Sequence, residues 1–394
     1  MRQWVYSKRH FALLVLVLGI VAFKSHALEI ESIEIIDLGT LPGDQHSNAR
    51  DINDEGVIVG ESINGTDVKP FIYRRDTMRE LPILTESDTG RAYAINNHGR
   101  VVGIVGKDGF AYRGVIWEAG RVRNLGVDPG FGDFSYARDI NDDGLIAGNI
   151  GLNAVVWRST GTSGFPPFTR ITDPGLSEGP QALSAHGINR LGQVAGTNHR
   201  TDTAFRWRAG TYETLPIGPV VDEYAFGINN AGKVVGIATY VSDGSATQRA
   251  ALWPRPDELV DLATLGGSSS IAYDINGQDI VVGYSKTVAD TNMAFVWHED
   301  FGMLPLGTLG GDNSQAFAIN ARGNIVGYSE TAEGERHATL WIVTYSPRLL
   351  IPWLSLENLA CFPFITCPSP YTWLALIIVF AIAPLVIVAL VRYR

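Results

Sequence analysis

A short pattern recurs seven times along this chain and leaves few folds open to it. The dipeptide Ile-Asn with a glycine seven residues after the Asn recurs at intervals of 40–48 residues. In six copies another glycine lies three residues after the Asn. In all seven copies an aromatic residue ends an apolar run further along the repeat. The seven asparagines are Asn53, Asn96, Asn141, Asn189, Asn229, Asn276 and Asn320. Such a period is typical of repeat architectures, in which each unit buries its apolar face only against its neighbours.

Each repeat reads as four short strands. The runs 316–320, 323–328, 294–297 and 304–309 exemplify them in order, and Gly-containing turns separate them. Four antiparallel strands in about 40–50 residues form one blade of a β-propeller. The chain begins this pattern at 33–41 with a fourth-type strand and ends it with a third-type strand, so we expect the first strand to complete the last blade. We predict an all-β, seven-bladed propeller over residues 28–345, and an open β-solenoid is the alternative.

This arrangement makes Ala-x-x-Ile-Asn the innermost strand, lining the central channel. The Asn-x-x-Gly turns then lie on one face, and the variable connections, such as 310–314, lie on the other. The stretch from the third-strand aromatic residue to the next Ile-Asn pattern is longest at residues 157–188. We interpret this extra length as a recognition loop or as a tolerated insertion. We take Asp312, Asn313, Phe165 and Phe168 as candidates for a binding face.

The N-terminal residues 1–27 have the pattern of a secretory signal. Basic residues precede an apolar run at 11–23, which is too short to cross a bilayer. Small residues at 25 and 27 predict cleavage between Ala27 and Leu28. An uncleaved membrane anchor is the alternative.

The C-terminal residues predict a membrane anchor. Residues 373–391 carry no charge and are followed by Arg-Tyr-Arg, which predicts a transmembrane helix within 372–394 after a juxtamembrane linker at 346–371. A buried core helix is the alternative. The terminal arginines would stay inside, so we expect the body to be exported, in the periplasm or on the cell surface. Cys361 and Cys367, the only cysteines, could close a small disulfide loop or remain two thiols.

The charge balance and the absence of site patterns favour binding over catalysis. Residues 28–345 carry 24 basic and 40 acidic residues, a net charge of −16, which disfavours nucleic acid. The histidines do not cluster, and the calcium-like run 139–144 lacks the acidic ligand at position twelve, where Ile150 stands. We therefore predict no catalytic, cofactor or metal site, and a monomeric binding module for carbohydrate or an envelope protein. A glycan-acting enzyme with a site at the channel mouth and a purely structural surface protein are the alternatives.

The repeats also resemble a known bacterial class. Leu-Gly-Thr-Leu-Gly-Gly, Ala-x-x-Ile-Asn-x-x-Gly-x-x-Val-Gly and the run 337–341, His-Ala-Thr-Leu-Trp, resemble the extracellular HAF-repeat family over about residues 33–341. That resemblance implies an exported protein and brings no catalytic residues. The run 351–355, Ile-Pro-Trp-Leu-Ser, resembles an IPTL-type sorting signal, although the distance to the apolar segment is longer than that pattern has.

Overall fold

The computed structural model describes residues 26–107, 112–159, 167–176, 181–215, 220–242 and 244–349. These residues form 28 strands, with no helix among them. The strands make seven antiparallel sheets of four strands each, arranged as the blades of a propeller. The predicted all-β, seven-bladed fold is confirmed.

Blades 1 to 6 follow one another along the chain, and each runs from its innermost to its outermost strand. Blade 1 contains β2 (His46–Ile52), β3 (Ile58–Asn64), β4 (Asp67–Arg74) and β5 (Thr77–Glu80). Blade 2 contains β6 (Thr89–Ile95), β7 (Val101–Gly106), β8 (Arg113–Glu118) and β9 (Arg121–Asn124). Blade 3 contains β10 (Ser135–Ile140), β11 (Leu145–Ile150), β12 (Asn153–Arg158) and β13 (Phe168–Arg170). Blade 4 contains β14 (Leu183–Ile188), β15 (Val194–Asn198), β16 (Thr203–Arg208) and β17 (Thr211–Thr214). Blade 5 contains β18 (Val220–Ile228), β19 (Val234–Ser242), β20 (Ser245–Arg255) and β21 (Glu258–Asp261). Blade 6 contains β22 (Gly266–Ile275), β23 (Val281–Thr287), β24 (Asn292–His298) and β25 (Gly302–Pro305).

Blade 7 joins the two ends of the repeat region. Its inner strands are β26 (Gly310–Ile319), β27 (Asn324–Thr331) and β28 (Arg336–Leu349). The outermost strand is β1 (His26–Gly39), which pairs with β28 as predicted. Pairing the first strand with the last removes two free sheet edges from the ring.

The hydrophobic core lies between neighbouring blades, as a repeat architecture requires. Trp341 of blade 7 is fully buried and packs with Ile280 and Leu306 of blade 6. Trp157 and Trp253 occupy equivalent places on their third strands and are also buried. The recurring tryptophans therefore stabilise blade-to-blade packing.

The hairpins divide the ring into two faces. The turn face carries the Asn-x-x-Gly turns between first and second strands and the hairpins between third and fourth strands. The connection face carries the hairpins between second and third strands and the links from one blade to the next. Two predicted boundaries were wrong: the fourth strand of blade 6 ends at Pro305, and residues 310–314 belong to β26 instead of a loop. Backbone pairing of Gly310 and Ser314 with β27 extends that strand.

A compact unit spans Leu28–Pro347, close to the predicted ectodomain. Residues 1–25 of the predicted signal at 1–27, the predicted anchor at 372–394 and the cysteine pair Cys361 and Cys367 lie outside the described residues. Within the described ranges, no helix is long and apolar enough to cross a membrane.

Candidate functional site in the central channel

The glycine seven residues after each Asn shapes the channel wall. A Cβ atom on Gly148 would lie 1.9 Å from the carbonyl oxygen of Tyr136, on the neighbouring innermost strand. The corresponding distance is 1.8–2.1 Å in all seven blades. Only glycine leaves room for that carbonyl. The innermost strand bulges at this point, so the register jumps from Ala137 to Asp139 and skips Arg138.

The bulged residues form a ring around the channel, which we call the girdle. All seven side chains are partly buried. They are Arg50, Tyr93, Arg138, His186, Phe226, Tyr273 and Phe317.

Consecutive blades contact one another through the girdle. The ring centroids of His186 and Phe226 are 5.4 Å apart, those of Phe226 and Tyr273 are 5.6 Å apart, and those of Tyr273 and Phe317 are 5.4 Å apart. The guanidinium of Arg50 lies 4.5 Å from the centroid of Phe317. The girdle thus has an aromatic side, in blades 4 to 7, and a side with two arginines, in blades 1 to 3.

The two arginines of the girdle differ in their partners. Arg50 donates from Nε to both carboxylate oxygens of Glu61 at 2.9 Å. Arg138 has no hydrogen bond or ion pair within the described residues, and its Nε is buried without a partner. Desolvation lowers the pKa of Arg138, and no carboxylate offsets that effect.

A neutral histidine lies beside this unpaired cation. Burial lowers the pKa of His186 well below its ordinary value, and the charge of Arg138 lowers it further. The imidazole is therefore uncharged at neutral pH and can both donate and accept a hydrogen bond.

In three blades the residue directly after the girdle member is an aspartate, and its carboxylate accepts a hydrogen bond from the next blade. Asp139 accepts hydrogen bonds from its neighbour Ile140 at 2.7 Å and from Ile188 of the next blade at 2.6 Å. Asp51 and Asp274 repeat this arrangement. Desolvation raises the pKa of Asp139 to about 6, although the two N–H donors lower it. Desolvation also raises the pKa of Asp51 well above its usual value.

The repeated asparagines form a ring of hydrogen bonds around the turn-face end of the channel. Asn320, for example, donates from Nδ2 to the carbonyl oxygen of Asn53 at 3.0 Å, across the junction between blades 7 and 1. Every Asn of the seven donates in the same way to the Asn of the next blade. The Ile-Asn residues line a cavity of about 250 Å³. The side chains of these asparagines are hydrogen-bonded to backbone groups. The most recurrent residues of the sequence therefore have a structural role.

The predicted binding-face residues that the structure describes lie in two different blades. Asp312 is exposed in β26, at the connection face, and Asn313 beside it donates to Glu330 Oε2 at 2.8 Å. Phe168 pairs with Trp157 near the turn face, and its ring packs against Phe131 with centroids 6.0 Å apart. Phe165 lies outside the described residues.

The predicted cleavage site lies in the first strand. Ala27 and Leu28 are both part of β1, and the backbone N–H of Leu28 donates to Asp300 Oδ2 at 2.7 Å. The Leu28 side chain packs against the core between blades 6 and 7.

Sequence reasoning missed the girdle because its members have no common residue type. Their signal is positional: each is the residue after Ala in the Ala-x-x-Ile-Asn pattern. No metal-binding cluster of acidic, His or Cys side chains occurs among the residues that the structure covers.

Comparison with known proteins supports the fold and leaves the activity open. A family model described as "Protein of unknown function (DUF3466)" matches residues 220–339, within blades 5 to 7. A search of curated protein sequences returned no match.

Solved structures with similar folds include a streptogramin B lyase, with a TM-score of 0.53 and 12% identity over 79% of this chain and 98% of that one. Virginiamycin B lyase from Staphylococcus aureus gives a TM-score of 0.54 and 11% identity over 79% of this chain and 100% of its own. The propeller domain of the Trilobed protease from Pyrococcus furiosus gives 0.50 and 12%, over 79% and 99%. At such identities the likeness extends to the fold alone, so this chain is a seven-bladed β-propeller whose site must be judged on its own residues.

Proposed function

We propose that this protein is an exported propeller, tethered by a C-terminal membrane helix, that binds a carbohydrate or protein of the cell envelope through its connection face. The leader-like N-terminus, the uncharged C-terminal run and the resemblance to HAF repeats support export. The net charge of −16 on residues 28–345 supports a partner other than nucleic acid.

The distribution of exposed apolar side chains carries this proposal. Of the five large hydrophobic side chains exposed in the described part of the chain, four lie on the connection face. Val288, at 86% exposure, lies in the hairpin after β23, and Leu152 lies in the hairpin after β11. Val221 and Val241 lie at the connection-face ends of β18 and β19. Contiguous exposed apolar patches mark interaction surfaces, and three of these four side chains lie in the neighbouring blades 5 and 6.

Blade 5 adds a protruding element to the same face. Its strands β19 and β20 have nine and eleven residues, and they stay paired out to Ser242 and Ser245. This extended hairpin places Val241 beyond the usual end of a blade. Because Val241 belongs to a regularly paired hairpin, its position is fixed for a partner that packs against it.

The test compares the two faces of the ring. The full-length protein is immobilised in detergent, and its binding to a panel of envelope glycans is measured. Its binding to envelope proteins is measured by chemical cross-linking. We expect the triple variant V221D/V241D/V288D to lose at least tenfold in binding to the retained partner, because aspartate would be desolvated on contact. The matched control is Leu191→Asp, which changes the fifth exposed apolar residue, on the turn face.

The outcomes separate clearly. Selective loss in the connection-face variant, with unchanged circular dichroism, supports the proposal. Equal loss in both variants, or no retained glycan or protein across the panel, contradicts it.

A further inference from the structure

Blades 1 and 3 contain the same structural element with one difference. In each, an arginine occupies the bulge of the innermost strand. In blade 1 the pair beside the bulge is Asn48 opposite Glu61, and in blade 3 it is Tyr136 opposite Asn149. The carboxylate that neutralises the arginine in blade 1 is therefore replaced by an amide in blade 3.

The amide does not serve as a partner for Arg138. Asn149 is buried, its Nδ2 donates to the carbonyl oxygen of Leu183 at 2.7 Å, and its Oδ1 is buried without a hydrogen bond. Asp139, adjacent in sequence, uses its two carboxylate oxygens on the amides of Ile140 and Ile188. Blade 3 thus holds a partly buried guanidinium that has no carboxylate partner and whose Nε is desolvated, so a bound anion would stabilise it.

The surroundings of Arg138 indicate what kind of anion would fit. Its guanidinium lies 5.5 Å from the ring centroid of Tyr136. His186 is the next member of the girdle, and Phe226 and Tyr273 continue the aromatic side beyond it. Guanidinium binds carboxylate through two parallel N–H···O bonds, and aromatic faces pack against planar rings or against the apolar C–H face of a sugar.

We propose that the girdle is a binding site for a carboxylated ring compound, whose carboxylate pairs with Arg138 and whose ring face packs against the aromatic side. Two sources have this chemistry: an acidic sugar and a small aromatic acid. The site lies inside the channel, apart from the exposed apolar residues of the connection face. Failure here would therefore leave the proposed envelope interaction standing.

The experiment measures binding of two acids and their uncharged counterparts to the full-length protein by titration calorimetry. The probes are trigalacturonate and its methyl ester, and phenylacetate and phenylacetamide. We expect at least one acid to bind at least tenfold more tightly than its uncharged counterpart, because charge-assisted hydrogen bonds form only with the carboxylate. Binding by trigalacturonate alone identifies an acidic sugar, and binding by phenylacetate alone identifies a small aromatic acid.

Two variants address the arginine directly. Arg138→Gln removes the cation, and we expect the affinity for the acid to fall about 10- to 100-fold. Asn149→Glu supplies in blade 3 the carboxylate that blade 1 already has, and we expect a similar loss because the site would be neutralised from within. The matched control is Arg322→Gln, which removes one positive charge from an exposed position on the turn face.

Three results would overturn this inference: acid and neutral probes that bind alike, Arg138→Gln and Arg322→Gln variants that bind alike, or no binding of either acid up to about 10 mM. Thermal unfolding of each variant confirms that it is folded. If Asn149→Glu does not fold, Arg138→Gln alone decides the question.

Discussion

The glycine that admits each bulge offers the sharpest test of this architecture. In Gly148→Ala the new Cβ would lie 1.9 Å from the carbonyl oxygen of Tyr136 and 2.9 Å from the ring of Trp157. Real Cβ atoms do not approach within 3.0 Å, so strand β10 must move by about 1 Å. Ladder strands are held about 4.8 Å apart, and such a shift breaks the hydrogen bonds on either side of the bulge.

The cost follows from two contributions. Overpacking costs roughly 1–3 kcal/mol, and two weakened backbone hydrogen bonds add about 1 kcal/mol each. We expect the Gly148→Ala variant to lose about 3–5 kcal/mol in its free energy of unfolding. Urea denaturation of the full-length protein, followed by tryptophan fluorescence, measures this difference.

The chain offers a matched control for this substitution. A Cβ atom added to Gly277 would meet no atom within 4 Å, and this glycine does not have a positive φ. The Gly277→Ala variant should therefore stay within about 0.5 kcal/mol of the parent. A loss below about 1 kcal/mol for Gly148→Ala, or equal losses in both variants, would refute the steric account of the bulge.

Three further predictions concern the ring, its pH response and its first strand. Asn320→Ala removes the donor to Asn53 and the acceptor for the backbone amides of Arg322 and Asn324. We expect its free energy of unfolding in urea to fall by about 3 kcal/mol. The control Arg322→Ala should have no effect. Glu223 is buried, and desolvation raises its pKa to about 7, although the backbone N–H of Ala204 favours the carboxylate. The folded state then holds a proton that the unfolded chain releases near pH 4.5, so this group should lower stability by about 2 kcal/mol, allowing for screening, as pH rises from 5 to 8. Because the raised pKa values of Asp139 and Asp51 add to the decline, Glu223→Gln should reduce it by that amount without removing it, and an unchanged slope would contradict this prediction. If the protein is exported as proposed, amino-terminal sequencing of the mature form should begin at Leu28, and retention of residues 1–27 would contradict cleavage.

The repeat pattern predicted most of the architecture because it is periodic. Seven Ile-Asn copies gave the number of blades, and the incomplete first and last copies predicted that β1 would close the ring. Strand ends were less predictable. The Leu-Gly-Thr-Leu segment is apolar enough to resemble a strand, yet Gly307 has a φ of +83° and ends the ladder.

One irregular repeat shows how tertiary structure can replace a sequence signal. In blade 6 the glycine three residues after the Asn is absent, and Asp279 takes the left-handed conformation instead, with a φ of +63°. Its carboxylate accepts a hydrogen bond from Asn229 of blade 5 at 3.0 Å and pairs with Lys233 at 2.9 Å. Contacts with the neighbouring blade compensate for the strained backbone.

The sequence by itself determined the repeat, the closed ring and the structural identity of the recurring residues, because packing between equivalent blades demands the same residue at the same position each time. The candidate site was decided only by the tertiary structure. A bulge turns one non-recurring residue per blade toward the axis, and residues from distant parts of the chain meet there. Whether an arginine among them has a carboxylate, as Arg50 has Glu61, or lacks one, as Arg138 does, depends on the strand register across the blade.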